Sequence, residues 1–476
     1  MSLILLSTCR KDKGMLDYQG YPEEIGSIMI NKCATPGCHN TTSKDACAGL
    51  DLSSWEKLFR GTRNNSSVIA YRPDQSFLTF FINTYSDLGI SVSPSMPVNK
   101  TPLSHDEVVT IKNWIQDGAK NNLGQVKFPD IPSRKKLYVA NQGCDFVTVF
   151  DLQTKLAMRC VNVGNSPLIE VPHNIIVSED NQYWYVCFVN NSIIQKFKTS
   201  DDTKIGEINL PDVGWHTICI SPDGKYIAAV HWAGDGKVAL INANTMQLVQ
   251  MYQGSGLFVN PHGCTFSPNG KIIYVPAQNG NFIYKIDISD IANPDIQEIV
   301  LEPGELPDAG NNELKPHQVR FAPDDSTRYF VTCEEGDDVR IFNATNDSLL
   351  VKISTCHDDE EMTFSPKTHL LFVASYEDNV TFPPNYGCVS IINYQTNTLV
   401  KNIYPGFEPH GIAVDDDYGF VYVACRNVDA GGPAPHHTSS CGGRNGYITI
   451  IDMKTLEMVN WKTEVSVDPY YIAIKR

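Results

Sequence analysis

Trp215-His-Thr-Ile-Cys-Ile-Ser-Pro-Asp-Gly-Lys-Tyr226 and Pro261-His-Gly-Cys-Thr-Phe-Ser-Pro-Asn-Gly-Lys-Ile272 are two copies of one pattern. Each is a short alternating run that ends in a Ser-Pro-(Asp/Asn)-Gly turn, the punctuation expected between paired antiparallel strands. Further copies start at Pro172-His173, Pro316-His317 and Pro409-His410, and degenerate ones contain Met362-Thr-Phe-Ser-Pro366 and Asp468-Pro-Tyr470. A second run follows, as in Leu137-Tyr-Val-Ala-Asn141, Ile273-Tyr-Val-Pro276 and Val421-Tyr-Val-Ala424, and then a third, as in Val147-Thr-Val-Phe150 and Ile448-Thr-Ile-Ile451. The residue that opens the first run falls at 173, 216, 262, 317, 360, 410 and 470, spacings of 43 to 60 residues. That is the period of a propeller blade with loop insertions.

Seven starts predict seven blades over 137–476. The copy at 137 opens on a second strand, and the copy that ends at Arg476 holds only a first strand. One blade is therefore expected to draw strands from both ends of this region, which closes the ring and removes its open edge. Tyr138-Val-Ala-Asn141 and the Ser-Pro-Asp-Gly turns make the pattern similar to YVTN-type propellers.

The composition agrees with this reading. The chain has 476 residues, 42% hydrophobic and 19% charged, so it buries a core and is not disordered. Thirty-eight Lys and Arg face 54 Asp and Glu, for a net charge of -16. No Lys/Arg cluster stands out, which argues against nucleic acid as a partner, because phosphate binding rests on such clusters.

Residues 22–120 read differently. Cys33-Ala-Thr-Pro-Gly-Cys38-His39 places a His directly after the second of two Cys, the arrangement that attaches a c-type haem and supplies its proximal ligand. The usual gap is two residues and here it is four; a disulfide or a zinc pair, with Cys47 nearby, is the alternative. Ser95-Met96-Pro97 and a helix over 104–118 follow. Ser104 and Glu107 form a capping box, Val108, Ile111, Trp114 and Ile115 form a stripe, and Gly118 stops the helix. In this order the segment resembles the cytochrome c-like domains of Bacteroidetes and Planctomycetes. The resemblance implies a small all-α cytochrome c domain with Cys33 and Cys38 as attachment points, His39 as proximal ligand and Met96 as distal ligand. Met29 and His105 are other candidates for the sixth position. Residues 121–136, with two Pro, read as a linker. The expected fold class is thus multidomain, a small all-α cytochrome c domain followed by an all-β seven-bladed propeller.

Residues 1–21 read as an export segment and linker. Leu6-Ser7-Thr8-Cys9 resembles a lipoprotein signal, which implies a lipid on Cys9, attachment to a membrane, and a periplasmic, outer-membrane or cell-surface location.

Twelve His are present, and five occupy the same repeat position: His173, His216, His262, His317 and His410. Glu360 and Tyr470 fill it in the other two blades, with His357 close to Glu360 but out of register. The start of a first strand rims the central channel of a propeller, so these imidazoles are expected to converge on one axis, where neutral imidazole ligates copper and other transition metals. Hydrogen bonding between blades is the alternative role. The arrangement resembles nitrous oxide reductase, whose propeller His bind a copper cluster, and haem nitrite reductases, which pair a cytochrome c with a propeller. It departs from both in its incomplete ring and in having no copper domain after Arg476. A loop with His436 and His437 lies between Cys425 and Cys441, which are expected to form a disulfide in an oxidising compartment and so stiffen it.

The expected function is an exported electron-transfer protein or oxidoreductase. It would use haem c, and copper or another transition metal in the channel, and exchange electrons with a redox partner protein. The alternative is a propeller scaffold within a cell-envelope complex.

Overall fold

The computed structural model describes residues 17–63, 65–435 and 437–476. Cys9 and His436 lie outside them. The chain divides into two compact units, one reaching to Pro129 and one over Asp130–Arg476.

The first unit corrects the expected fold class. The chain is nearly all β, and this unit is not an all-α cytochrome c domain. Among its described residues there are only four short α-helices: α1 (Glu23–Ile28), α2 (Trp55–Leu58), α3 (Phe77–Ile82) and α4 (His105–Gln116). The reason is local. The segments between them are dense in Gly, Pro, Asn, Ser and Thr, whose side chains bond nearby backbone and favour turns over helix. Asn40 is typical: its Oδ1 accepts from the amides of Thr42 and Ser43, while its Nδ2 donates to the Thr35 carbonyl at 2.8 Å. Only α4 has all the local signals at once. Its capping box is formed, with Ser104 accepting from the Glu107 amide, and Val108, Ile111, Trp114 and Ile115 are buried.

The second unit is a seven-bladed propeller of four-stranded antiparallel sheets. Numbered along the chain, blade 1 takes its inner strand from Pro469–Lys475 and its other three strands from Lys136–Asn141, Phe146–Asp151 and Leu156–Asn162. Blades 2 to 7 have inner strands Pro172–Val177, Trp215–Ile220, Thr265–Phe266, Pro316–Ala322, Asp359–Ser365 and Pro409–Asp415. The two ends of this unit therefore share blade 1, as the truncated repeats predict. The core lies between blades. Tyr185, Cys187 and Ile194 of blade 2 pack on Trp215, Ile227 and Ala239 of blade 3, and equivalent clusters join the later pairs. Alternation places one face of each blade against each neighbour, which is why nearly every second-strand residue is apolar.

Among the described residues two disulfides are present, Cys144–Cys441 and Cys356–Cys388. The expected Cys425–Cys441 bridge is not formed. Cys425 is a buried free thiol, and Cys441 instead ties the 426–444 loop of blade 7 to blade 1, across the point where the ring closes. Proximity in sequence misleads here, because a propeller brings its first and last blades side by side.

Candidate functional site

The inner-strand starts are built the same way in all seven blades. Two residues before each ring position the backbone is left-handed: Val171 (φ 60°), Gly214 (101°), Asn260 (44°), Lys315 (46°), Asp358 (66°), Glu408 (55°) and Asp468 (54°). Glycine tolerates that region freely, whereas a β-branched Val at φ 60° is strained. The carbonyl of each of these residues accepts the amide of a residue just past the end of the second strand: Val189, Trp232, Gln278, Glu334, Tyr376, Arg426 and Gln142, in that order. Pairing register then shifts around the ring residue in six of the blades. A bulge of this kind turns a side chain away from the sheet.

The result is a closed circuit of side chains on the channel axis. Ring centroids are 4.9 Å apart for His173 and His216, 5.9 Å for His216 and His262, 4.3 Å for His262 and His317, and 6.1 Å for His317 and His410. Tyr470 stacks on His410 at 3.6 Å and on His173 at 4.4 Å, closing the circuit. Glu360 Oε2 stands 2.8 Å from His410 Nε2. His357 does not join them; it is half exposed and pairs with Asp337 Oδ2 at 2.7 Å.

Burial keeps the imidazoles uncharged. It lowers His216 to about 4, His262 to about 3 and His410 to about 4, and takes His173 and His317 well below the usual value. Neighbouring imidazoles push His173, His262 and His317 further in the same direction. Lone pairs are therefore available at neutral pH. The ring divides chemically in two. His173, His216 and His262 bring one nitrogen each to within 4.8 Å of one another; His317, Glu334 and Glu360 do the same on the other side.

A second tier, missed in the sequence, frames this ring. Trp232 stacks on His216 at 5.6 Å, and its Nε1 donates to Gln278 Oε1 at 2.8 Å; Gln278 Nε2 donates to Glu334 Oε1 at 2.7 Å. Gln142 meets His173 Nδ1 at 2.5 Å. The Arg426 guanidinium lies over Tyr376 and Tyr470, 4.8 and 4.7 Å from their centres, and pairs with Asp468 at 2.6 Å. These residues share a position, the end of the second strand, but not a chemistry. That position is the signal that could have found them. Below the ring, Gln318 Nε2 donates to Glu361, and Arg320 Nη2 donates to Tyr471 Oη at 2.8 Å.

The other sequence candidates fall elsewhere. His231 Nε2 meets the Val213 carbonyl at 2.8 Å and its ring lies tilted against Trp215 at 5.3 Å, a role within its blade. His437 Nε2 is 3.9 Å from Glu464. In the first unit, Cys33, Cys38 and Cys47 are free thiols. No group of three metal-capable side chains forms around them among the described residues, so the zinc alternative gains no support. A wide π-helical turn, Met29–Cys33, leads into the motif, with the Ala34 amide donating to Met29 O at 2.8 Å; such turns concentrate at functional sites. His39 N donates to Cys33 O at 3.1 Å, folding the 33–39 segment into a tight turn. The 96–100 segment lies against it: Lys100 Nζ donates to Thr35 Oγ1 at 2.8 Å and approaches Cys38 Sγ at 3.9 Å. Met96 is half-buried, and its amide donates to Phe81 O at 2.7 Å. Met29 is fully buried, and His105 meets Asp87 Oδ2 at the surface at 2.8 Å.

No family model and no curated protein matches the chain. Among solved structures, similar folds include a functionally unknown protein from Desulfotomaculum acetoxidans, 13% identical, covering 70% of this chain and 99% of that one with a TM-score of 0.52. A protein of Bacteroides uniformis assigned as a 6-phosphogluconolactonase is 14% identical, covering 72% and 100%, with a TM-score of 0.53. Hydrazine synthase of Kuenenia stuttgartiensis is 20% identical over 54% of this chain and 80% of its own, with a TM-score of 0.45. At these identities the likeness to the first two establishes the propeller class and nothing of the chemistry.

Proposed function

We propose that the chain is an exported redox protein whose propeller binds a transition metal on its axis, with a c-type haem held by the first unit. The observation that carries this reading is the convergence of five buried, uncharged imidazoles from five blades onto one axis. Burying so many polar rings costs stability unless they are satisfied, and His262 Nδ1 and His317 Nδ1 have no hydrogen-bond partner. A metal is the occupant that such a donor set suits, with His173, His216 and His262 as the imidazole face.

The donor set of the first unit fits a haem: two free thiols five positions apart, a His directly after the second with its Nδ1 unbonded, and a thioether on a segment that touches the same turn. Cys33 and Cys38 would hold it, and His39 and Met96 would supply donors to its iron, with no cytochrome fold implied. When bound, such a haem supplies one-electron transfer at a potential that a Met ligand raises. Export is part of this reading because haem attachment and the two disulfides both belong to oxidising compartments, and a lipidated Cys9 would tether the chain to a membrane. Electrons would pass to a separate redox partner protein.

Two measurements test it. Pyridine haemochrome of the exported protein is expected to show c-type absorbance that Cys33→Ser/Cys38→Ser abolishes; a wild-type protein without it removes the haem. Metal analysis is expected to find a transition metal in the wild type and less of it in His216→Ala/His262→Ala. Equal contents would reject the imidazole site.

A further inference from the structure

The channel has a second half that differs in chemistry. His317, Glu334 and Glu360 bring one ligand atom each to within 4.8 Å, and His410 adds a fourth through Glu360. Glu334 is carried by blade 5 at the end of its second strand, His317 by the inner strand of the same blade, and Glu360 and His410 by the next two blades. Two blades thus aim one imidazole and two carboxylates at one point, and His410 of a third stands beside Glu360.

Three details distinguish this arrangement from an ordinary ion-pair cluster. First, His317 is only 2% exposed and its Nδ1 forms no hydrogen bond; it stands 3.8 Å from Glu334 Oε1. Second, His410 Nε2 and Glu360 Oε2 are 2.8 Å apart, yet each lacks a hydrogen-bond partner. They are close without being aligned. Two donors each about 2.1 Å from one octahedral ion stand about 3 Å apart, and their lone pairs aim at the ion rather than at each other. Third, the tautomer is set. His410 Nδ1 is 3.1 Å from the Tyr470 carbonyl, which can only accept, so Nδ1 carries the proton and Nε2 offers its lone pair. A backbone carbonyl holding the far ring nitrogen is the usual support for a ligating imidazole. Gln278 does the same for Glu334, donating to Oε1 at 2.7 Å. The nearby cation, Arg426, is already paired with Asp468 at 2.6 and 3.0 Å.

We propose that His317, Glu334, Glu360 and His410 form a second metal site for a divalent ion of the manganous or ferrous class, beside the imidazole face, so that the channel holds a two-metal centre. Oxygen-rich donor sets with two imidazoles select such ions over the softer ones that an all-imidazole face prefers. The inference rests on the reading of the channel as a metal centre and extends it to a second, harder ion. The two halves adjoin, since the rings of His262 and His317 are 4.3 Å apart.

Manganous ion alone is the probe. Titration of the full chain, followed by loss of the free-ion electron paramagnetic resonance signal, is expected to show one tight site per chain. Pulsed measurement of bound manganese is expected to show nitrogen coupling from imidazole. Glu334→Gln/Glu360→Gln weakens binding by about 100-fold, whereas His173→Ala/His216→Ala leaves it in place. Absence of a tight site, or bound manganese without nitrogen coupling, overturns the proposal using the wild type alone, whatever the variants do. Unchanged binding in a folded Gln variant overturns it as well. Manganese binding that persists while the imidazole variants lose no metal supports this site and removes the imidazole one.

Discussion

Deleting residues 469–476 is expected to abolish the folded propeller. This segment is the inner strand of blade 1 and pairs with Lys136–Asn141 from the other end of the unit, Ile472 opposite Val139 and Ile474 opposite Leu137. Its removal bares an edge whose residues are all buried, and opens the ring between the inner strands of blades 7 and 2. Tyr470, Tyr471, Ile472 and Ile474 lose their packing. At about 2 kcal/mol for each apolar side chain, the loss is about 8 kcal/mol before any ladder hydrogen bond is counted. That is comparable to the whole net stability of a domain, about 5–15 kcal/mol. Lys475 Nζ, which donates to the Arg134 carbonyl at 2.8 Å, goes too. Calorimetry of the truncated chain should show no cooperative transition for this unit. A transition at the wild-type temperature would mean that ring closure contributes little.

Blade number, closure and ring membership were legible because each is written locally. The Ser-Pro-Asp-Gly turns mark strand ends within a few residues, and an alternating strand with a His at its start defines which face that His takes. The geometry that makes the ring work was not legible. A left-handed backbone at Val171 or Lys315 has no signature in those residue types, which ordinarily avoid it. Only Gly214, Asn260, Asp358 and Asp468 suggest it. The second tier was hidden for a related reason: Trp232, Gln278, Glu334 and Arg426 share a place in the blade, and only the shared carbonyl contact reveals that place. Cys144 and Cys441 are 297 residues apart, so their pairing depends on the order of blades around the ring. In the first unit the capping box of α4 predicted its helix correctly, while the resemblance that implied further helices did not. Residues with turn-forming side chains, such as Asn40 and Asn83, bond backbone around them and leave irregular chain instead.

The largest single-residue effect is expected at Asp202, which joins blade 2 to blade 1. Its side chain is fully buried and accepts from four groups: Lys136 Nζ at 2.8 Å, Arg159 Nη1 at 3.0 Å, Tyr138 Oη at 3.0 Å and Trp184 Nε1 at 3.3 Å. Asp tolerates the left-handed backbone at this turn (φ 60°) better than most residues. Burial already lowers the pKa of Lys136, and the Asp202 charge is what opposes that shift. Asp202→Ala leaves a Lys with 1% side-chain exposure without its counter-charge, which costs about 3–5 kcal/mol. Asp202→Asn keeps the turn and some hydrogen bonds and is expected to cost less. Denaturant unfolding of Asp202→Ala, Lys136→Met and the double variant separates charge from packing. If uncompensated charge dominates, the double variant is more stable than Asp202→Ala, because no ammonium is left buried. If the double variant is instead less stable by the full sum of the single losses, the cost lies in packing between the two blades and not in the ion pair.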